Sequence, residues 1–218
     1  MKIKHVLLAA VLMGSISATA KDYHYTTIPG DAMKTRIYTL DNGLTVYMSV
    51  NKEKPRLQAN IAVKTGSRND PAETTGLAHY LEHLMFKGTQ KFGTTDPAKE
   101  KPYLDEITRR YESYRKLTDP AQRKQAYHEI DSVSQLAAKY NIPNEYDKLM
   151  ASIGSQGTNA YTSNDVTCYV ENIPNNEIEN WAKVQSDRFQ NMVIRGFHTE
   201  LEAVYEEKNI SMASDNTK

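Results

Sequence analysis

Gly76 to Thr89 reads GLAHYLEHLMFKGT and sets two imidazoles and a carboxylate, His79, Glu82 and His83, within five residues. On a helix turning about 100° per residue, Leu81, Leu84 and Met85 fall within about 80° of Leu77, while His79, Glu82 and His83 lie between about 140° and 240° round. The stretch therefore predicts an amphipathic helix with Leu77, Leu81, Leu84 and Met85 against a core. Its opposite face carries only groups suited to a metal ion or to proton transfer. The plainer alternative is a pair of solvated or capping histidines.

The order His-x-x-Glu-His is the inverted form of a zinc-site signature. Two histidines one helical turn apart supply two ligands, and a catalytic zinc site takes a third while leaving a position open for water. The chain has six histidines. His5 falls in a leader-like segment, and His24, His128 and His198 have no partner at ligand spacing. A carboxylate is then the better third ligand. Thr199 to Met212 reads as a final helix carrying Glu200, Glu202, Glu206 and Glu207. Glu200 and Glu207 share one line of that helix, and Glu206 points about 100° away from Glu207. Spacing alone leaves the ligand open among these, and leaves open a solvated acidic face.

The 218 residues carry 27 acidic and 27 basic side chains, so no charge excess points to nucleic acid or a membrane surface. Residues 1–20 read as a signal peptide: Lys2 and Lys4 precede a short apolar run, Val6 to Met13, and Ala18-Thr19-Ala20 offers small residues for cleavage near Ala20. The run is too short for a stable membrane anchor. The expected address is periplasmic or secreted, with residues 21–218 as one domain. Cys168 is the single cysteine, so no internal disulfide can form, and its place in an alternating run predicts a buried apolar thiol.

Lys21 to Met33 reads as an extended lead-in. Arg36–Leu40 and Leu44–Met48 are β-rich, with Asp41-Asn42-Gly43 between them as a hairpin turn. Leu57 to Lys64 alternates as a third strand, so the motif helix follows directly on a small sheet. Pro97 to Met150 is helical in pattern, broken at Thr118-Asp119-Pro120, and reads as a helical hairpin. Its tyrosines suit half-buried packing better than stacking on bases. Thr158–Ser163 and Val166–Ile173 read as strands. A helix then follows with Ile178, Trp181, Ala182, Phe189 and Met192 as its apolar face.

Three segments together resemble the M16 (pitrilysin/insulinase) family of zinc metallopeptidases: Gly66 to Thr89, the NAYTS stretch Asn159 to Ser163, and EAVYEEKN from Glu202 to Asn209. They keep the family's motif order over most of the mature chain. The resemblance implies an α+β fold, a mostly antiparallel sheet covered by helices, forming a catalytic half. It implies one Zn²⁺ held by His79, His83 and Glu207, with Glu200 in support and Glu82 as the general base toward a metal-activated water. The resemblance, not periodicity, selects Glu207 over Glu206. It also implies that Asn159, Ala160 and Tyr161 lie on an edge strand that pairs with the substrate backbone. An ordinary paired strand is the alternative for these three residues.

The implied activity is hydrolysis of peptide bonds in an extended peptide or small protein. The other reading is a non-catalytic scaffold or peptide-binding subunit of a two-chain enzyme. Two departures from the family stand out. His83 and Glu207 are 124 positions apart, a long spacing whose excess coincides with the hairpin at 97–150, which therefore reads as an insertion. The family's catalytic half also continues beyond the ligand helix and is paired with a second homologous half, in the same chain or a separate subunit. The expectation is that these 218 residues alone are an incomplete domain and not a competent enzyme.

Overall fold

A computed structural model describes residues 22–215. The signal peptide expected at residues 1–20 lies outside the described residues. Among the described residues, no helix is long and apolar enough to cross a membrane. The chain divides into two units at Lys54/Pro55. The first holds an antiparallel sheet of β1 (Tyr25–Thr27), β2 (Arg36–Thr39) and β3 (Thr45–Met48). Its turn forms where Asp41-Asn42-Gly43 predicts it: the Gly43 N–H donates to the Leu40 carbonyl, and the Leu44 N–H donates to Asn42 Oδ1. β1 lies in the stretch expected to be an extended lead-in, and it pairs with β2 along its length.

The second unit carries β4 (Arg56–Val63), β5 (Gln156–Thr162) and β6 (Thr167–Pro174) in the order β4-β6-β5, all antiparallel. The third predicted strand thus belongs to a sheet separate from the hairpin. Its partner is β6, in unbroken register from Arg56↔Pro174 to Val63↔Thr167. The Arg56 guanidinium fixes one end by donating to the side chain and carbonyl of Asn172 and to the Gly154 carbonyl. Cys168 is buried within β6.

The motif helix is α1 (Leu77–Leu84). Its buried side differs from the predicted one. Ala78, Tyr80, Glu82 and Leu84 are buried, as is Met85 just beyond, whereas Leu77 and Leu81 stay 48% and 45% exposed. The reason is that α1 has two neighbours: β5 and β6 on one flank, and α6 (Phe197–Asp215) on the other. Tyr80 and Leu84 form a small core with Val204 and Phe197, so alternate residues of α1 turn inward.

The hairpin region contains three helices: α2 (Pro97–Tyr114), α3 (Pro120–Ala138) and α4 (Glu145–Ser152). Asp96 and Asp119 cap α2 and α3, each followed by proline at the first helical position. α2 and α3 pack as the hairpin, and its two ends meet in an antiparallel bridge between Thr94 and Asn141. α4 instead joins the core beneath β6, where Tyr146 and Met150 pack with Phe92 and Ile173.

α5 (Ile178–Asn191) shows a second departure. Of its predicted apolar face, Ile178, Ala182 and Phe189 are exposed, while Gln185, Asp187 and Arg188 are buried. The cause is Glu171, a carboxylate buried on β6. Tyr146, Trp181 and Gln185 donate hydrogen bonds to it, and Arg188 approaches to 3.8 Å. A buried charge recruits donors, and these turn the helix away from its apolar stripe.

Candidate metal centre

Local chemistry sets the start of α1. The Gly76 N–H donates to Asp70 Oδ2 at 2.7 Å and the Ala78 N–H to Oδ1 at 2.9 Å, so one carboxylate caps the helix from six residues upstream. Its charge also suits the positive end of the helix dipole. Gly76 sits at φ +95°, a conformation glycine adopts without strain. Upstream, Gly66 passes so close to the β5–β6 turn that an added Cβ would lie 2.3 Å from the Ser163 carbonyl oxygen. That contact lets the Ser67 and Arg68 N–H groups donate to the Ser163 and Asn164 carbonyls, tying the approach to α1 to the end of β5.

One turn apart on α1, His79 and His83 bring their Nε2 atoms to 3.2 Å from each other. Glu207 reaches across from α6, its Oε2 3.6 Å from His79 Nε2 and 3.5 Å from His83 Nε2. Ligand atoms about 2.0–2.1 Å from a tetrahedral zinc stand about 3.3 Å apart, so this triangle has the dimensions to hold such an ion. Glu207 is half exposed. Among the described residues, this is the group of histidine and carboxylate side chains arranged to hold a metal.

Glu200, one line along α6 from Glu207, sits behind this triangle. His83 Nδ1 donates to Glu200 Oε1 at 2.9 Å, and Lys87 Nζ lies 2.5 Å from Oε2. The His83 hydrogen bond, with help from Lys87 and against the cost of burial, holds the Glu200 carboxyl down at about 2. An ionised carboxylate only accepts, so His83 carries its proton on Nδ1 and presents the Nε2 lone pair to the triangle. The same hydrogen bond raises the His83 pKa above its ordinary value, with burial opposing it and Glu207, Glu200 and Glu82 adding to it. Glu206, the neighbouring candidate, is absent from this cluster.

Glu82 lies on the sheet side of α1, 6% exposed. Thr162 Oγ1 on β5 donates to its Oε2 at 2.5 Å. Asn159, Ala160 and Tyr161 precede Thr162 on the same strand. β5 ends the sheet, pairing with β6 on one side, and Asn159 and Tyr161 are exposed. Sequence reasoning singled out neither Thr162 nor Lys87 nor Asp70. Thr162 was the most accessible of these, because strand alternation places it with Ala160 rather than with Asn159 and Tyr161.

Residues 45–100 match the family model described as Insulinase (Peptidase family M16). The chain is 35% identical over 92 residues to an insulin-degrading enzyme homolog of Dictyostelium discoideum, covering 42% of this chain and 9% of that protein. It is 44% identical over 62 residues to the beta subunit of the mitochondrial-processing peptidase of Neurospora crassa, covering 28% of this chain and 13% of that one. In fold it is similar to a protease from Helicobacter pylori, with a TM-score of 0.53 and 22% identity, over 80% of this chain and 30% of the other. The matched regions are therefore small parts of the relatives' lengths. Residues 45–100 are thus similar to peptidase family M16, the insulinase family, and the fold is similar to that of a solved protease.

Proposed function

We propose that this chain is the metal-binding half of a zinc-dependent endopeptidase acting on extended peptides. The observation that carries the reading is the triangle of His79 Nε2, His83 Nε2 and Glu207 Oε2, with sides of 3.2–3.6 Å, beside the buried carboxylate of Glu82. Zinc, when bound, supplies a Lewis acid that lowers the pKa of water toward about 7 and polarises a carbonyl. The protein's own groups do the rest. Glu200 fixes the His83 tautomer. Glu82 takes the proton of the attacking water and returns it to the leaving amine. The outer edge of β5, at Asn159 to Tyr161, receives the substrate backbone as an added strand, which suits any extended peptide and reads little side-chain identity.

In this reading residues 1–20 are an export signal, the chain works in the periplasm or after secretion, and the helical hairpin α2–α3 within residues 97–150 is an insertion in an M16-like domain. A second M16-like half completes the substrate chamber, from the same full-length chain or as a partner. The relatives support the second arrangement in that one is named as a peptidase subunit. The experiment uses the full-length gene product with any partner it requires. The purified protein should bind one zinc per motif-bearing half and lose peptide hydrolysis to a chelator. Glu82→Gln should keep the zinc and lower turnover about a thousandfold or more. A Glu82→Gln protein that turns over normally overturns the assignment of the base. A wild-type protein that binds zinc and peptide without cleaving favours a peptide-binding subunit.

A further inference from the structure

The carboxylate of Glu82 is buried under a strand that the proposed substrate would extend, and its hydrogen-bond partner stands on that strand. Thr162 Oγ1 donates to Glu82 Oε2 at 2.5 Å. A hydroxyl has one proton, and the alternatives around Thr162 are few. Its Oγ1 lies 3.3 Å from Thr167 Oγ1, whose own proton goes to the Thr65 carbonyl at 2.9 Å. The short contact to an anion prevails over the longer one to a neutral hydroxyl. Thr167 is buried and paired in register with Thr162 across β5 and β6, so the donor is held from behind as well as by its own strand. The loop before α1 is pinned to the same end of β5 through Gly66, Ser67 and Arg68. Strand, hydroxyl and carboxylate thus form one short, braced connection.

We propose that Thr162 is a positioning residue: it holds Glu82 by one oxygen, leaves the other for the proton, and couples the peptide-pairing strand to the general base. The role rests on the reading of Glu82 as base and β5 as the peptide edge. A peptide laid along the outer edge of β5 orders the residues from Asn159 to Tyr161, and Thr162 follows them directly. Peptide binding then steadies the hydroxyl that aims Glu82. The arrangement places the cost of aligning the base on substrate binding, not on the chemical step.

The test compares Thr162→Val, which keeps shape and removes the donor, with Thr162→Ser, which keeps the donor. In the zinc-loaded full-length protein, Thr162→Val should lower kcat about 10–100-fold with zinc content unchanged and KM no higher than in the wild type. Thr162→Ser should recover most of that loss. Equal losses in both variants, or a Thr162→Val enzyme with normal kcat, overturn the proposal. A second measurement needs neither zinc nor turnover. In the metal-free protein, urea unfolding of Thr162→Val, Glu82→Ala and the double variant should reveal a coupling of about tenfold in the unfolding equilibrium constant. Additive effects overturn the hydrogen bond itself. If the wild-type protein has no hydrolytic activity, the peptidase reading fails, and this coupling still decides whether Thr162 holds Glu82.

Discussion

Two acidic clusters in the second unit make an informative pair. Around Glu171, both carboxylate oxygens are used: Tyr146 and Gln185 donate to Oε1, Trp181 and Gln185 to Oε2, and the cluster is closed to solvent. Arg188 completes the charge balance from 3.8 Å, its guanidinium packed 4.4–4.8 Å from the rings of Phe86, Tyr146 and Tyr169. Around His83 the arrangement is the reverse. Glu200 is saturated by His83 and Lys87, but the front atoms of His79, His83 and Glu207 converge on one another. Two imidazole nitrogens 3.2 Å apart, with a carboxylate beside them, are poorly satisfied as a hydrogen-bonded group and well placed as ligands. In the first cluster the carboxylate's oxygens are taken up within the protein, and in the second the front atoms are aimed at one point.

The contrast can be broken by exchanging the two kinds of failure. Glu171→Gln should cost about 3–5 kcal/mol in urea unfolding, because it leaves the Arg188 charge buried without a counter-charge. Zinc affinity of the folded fraction should stay within about threefold of wild type, since the cluster touches none of the three proposed ligands. Glu207→Gln should do the opposite, weakening zinc binding by more than about a hundredfold in a competition titration. Metal-free stability should move by less than about 1 kcal/mol, as expected for an exposed side chain. Glu206→Gln should leave both quantities unchanged. A Glu206→Gln variant that loses zinc would move the third ligand by one position.

Smaller effects sharpen the division of labour within the site. Glu200→Gln should weaken zinc binding about 10–100-fold, the range for losing the group that orients a ligating histidine. The same pair makes the metal-free protein's stability depend on pH. Glu200, depressed to about 2, contributes stability that is complete above about 4.5 and is lost as pH falls through about 2. His83, raised above its ordinary 6.5, contributes stability that is complete below about 6.5 and is lost as pH rises through its folded value. The joint contribution is therefore full only between about pH 4.5 and 6.5, and Glu200→Gln should flatten that maximum. Zinc bound as proposed would reverse the upper limb, because the metal would have to displace the His83 proton. Affinity should fall about tenfold per pH unit below the folded His83 value.

Much of the candidate site was legible in the chain because its residues are local. His79, Glu82 and His83 fall on one stretch, and helical geometry alone puts the histidines one turn apart. The turn at Asp41-Asn42-Gly43 and the proline-led starts of α2 and α3 are legible for the same reason. Non-local neighbours defeated the rest. Periodicity assigned Leu77 and Leu81 to the core, but α1 lies between β5/β6 and α6, and those neighbours select Tyr80 and Leu84. In α5, the carboxylate of Glu171 on β6 turned Gln185 and Arg188 inward and left Ile178 and Phe189 outside. Thr162 carries no signal of its own until β5 is laid beside α1, 80 positions from Glu82 in the chain. The choice of Glu207 came from resemblance, where geometry on a single helix could not decide.

The Thr94–Asn141 bridge makes the helical hairpin a pendant: the chain leaves and re-enters the body at nearly one point. Mechanically it is also a brace. From α2, Glu100 forms a buried pair with Arg195 at 2.7 Å, and Tyr111 meets both Phe197 and His198 at the root of α6. Excising the hairpin at its neck would keep the chain path and strand Arg195 as a buried cation without its partner. The loss would be felt at the base of the helix that carries Glu200 and Glu207, as a lever whose fulcrum has been removed.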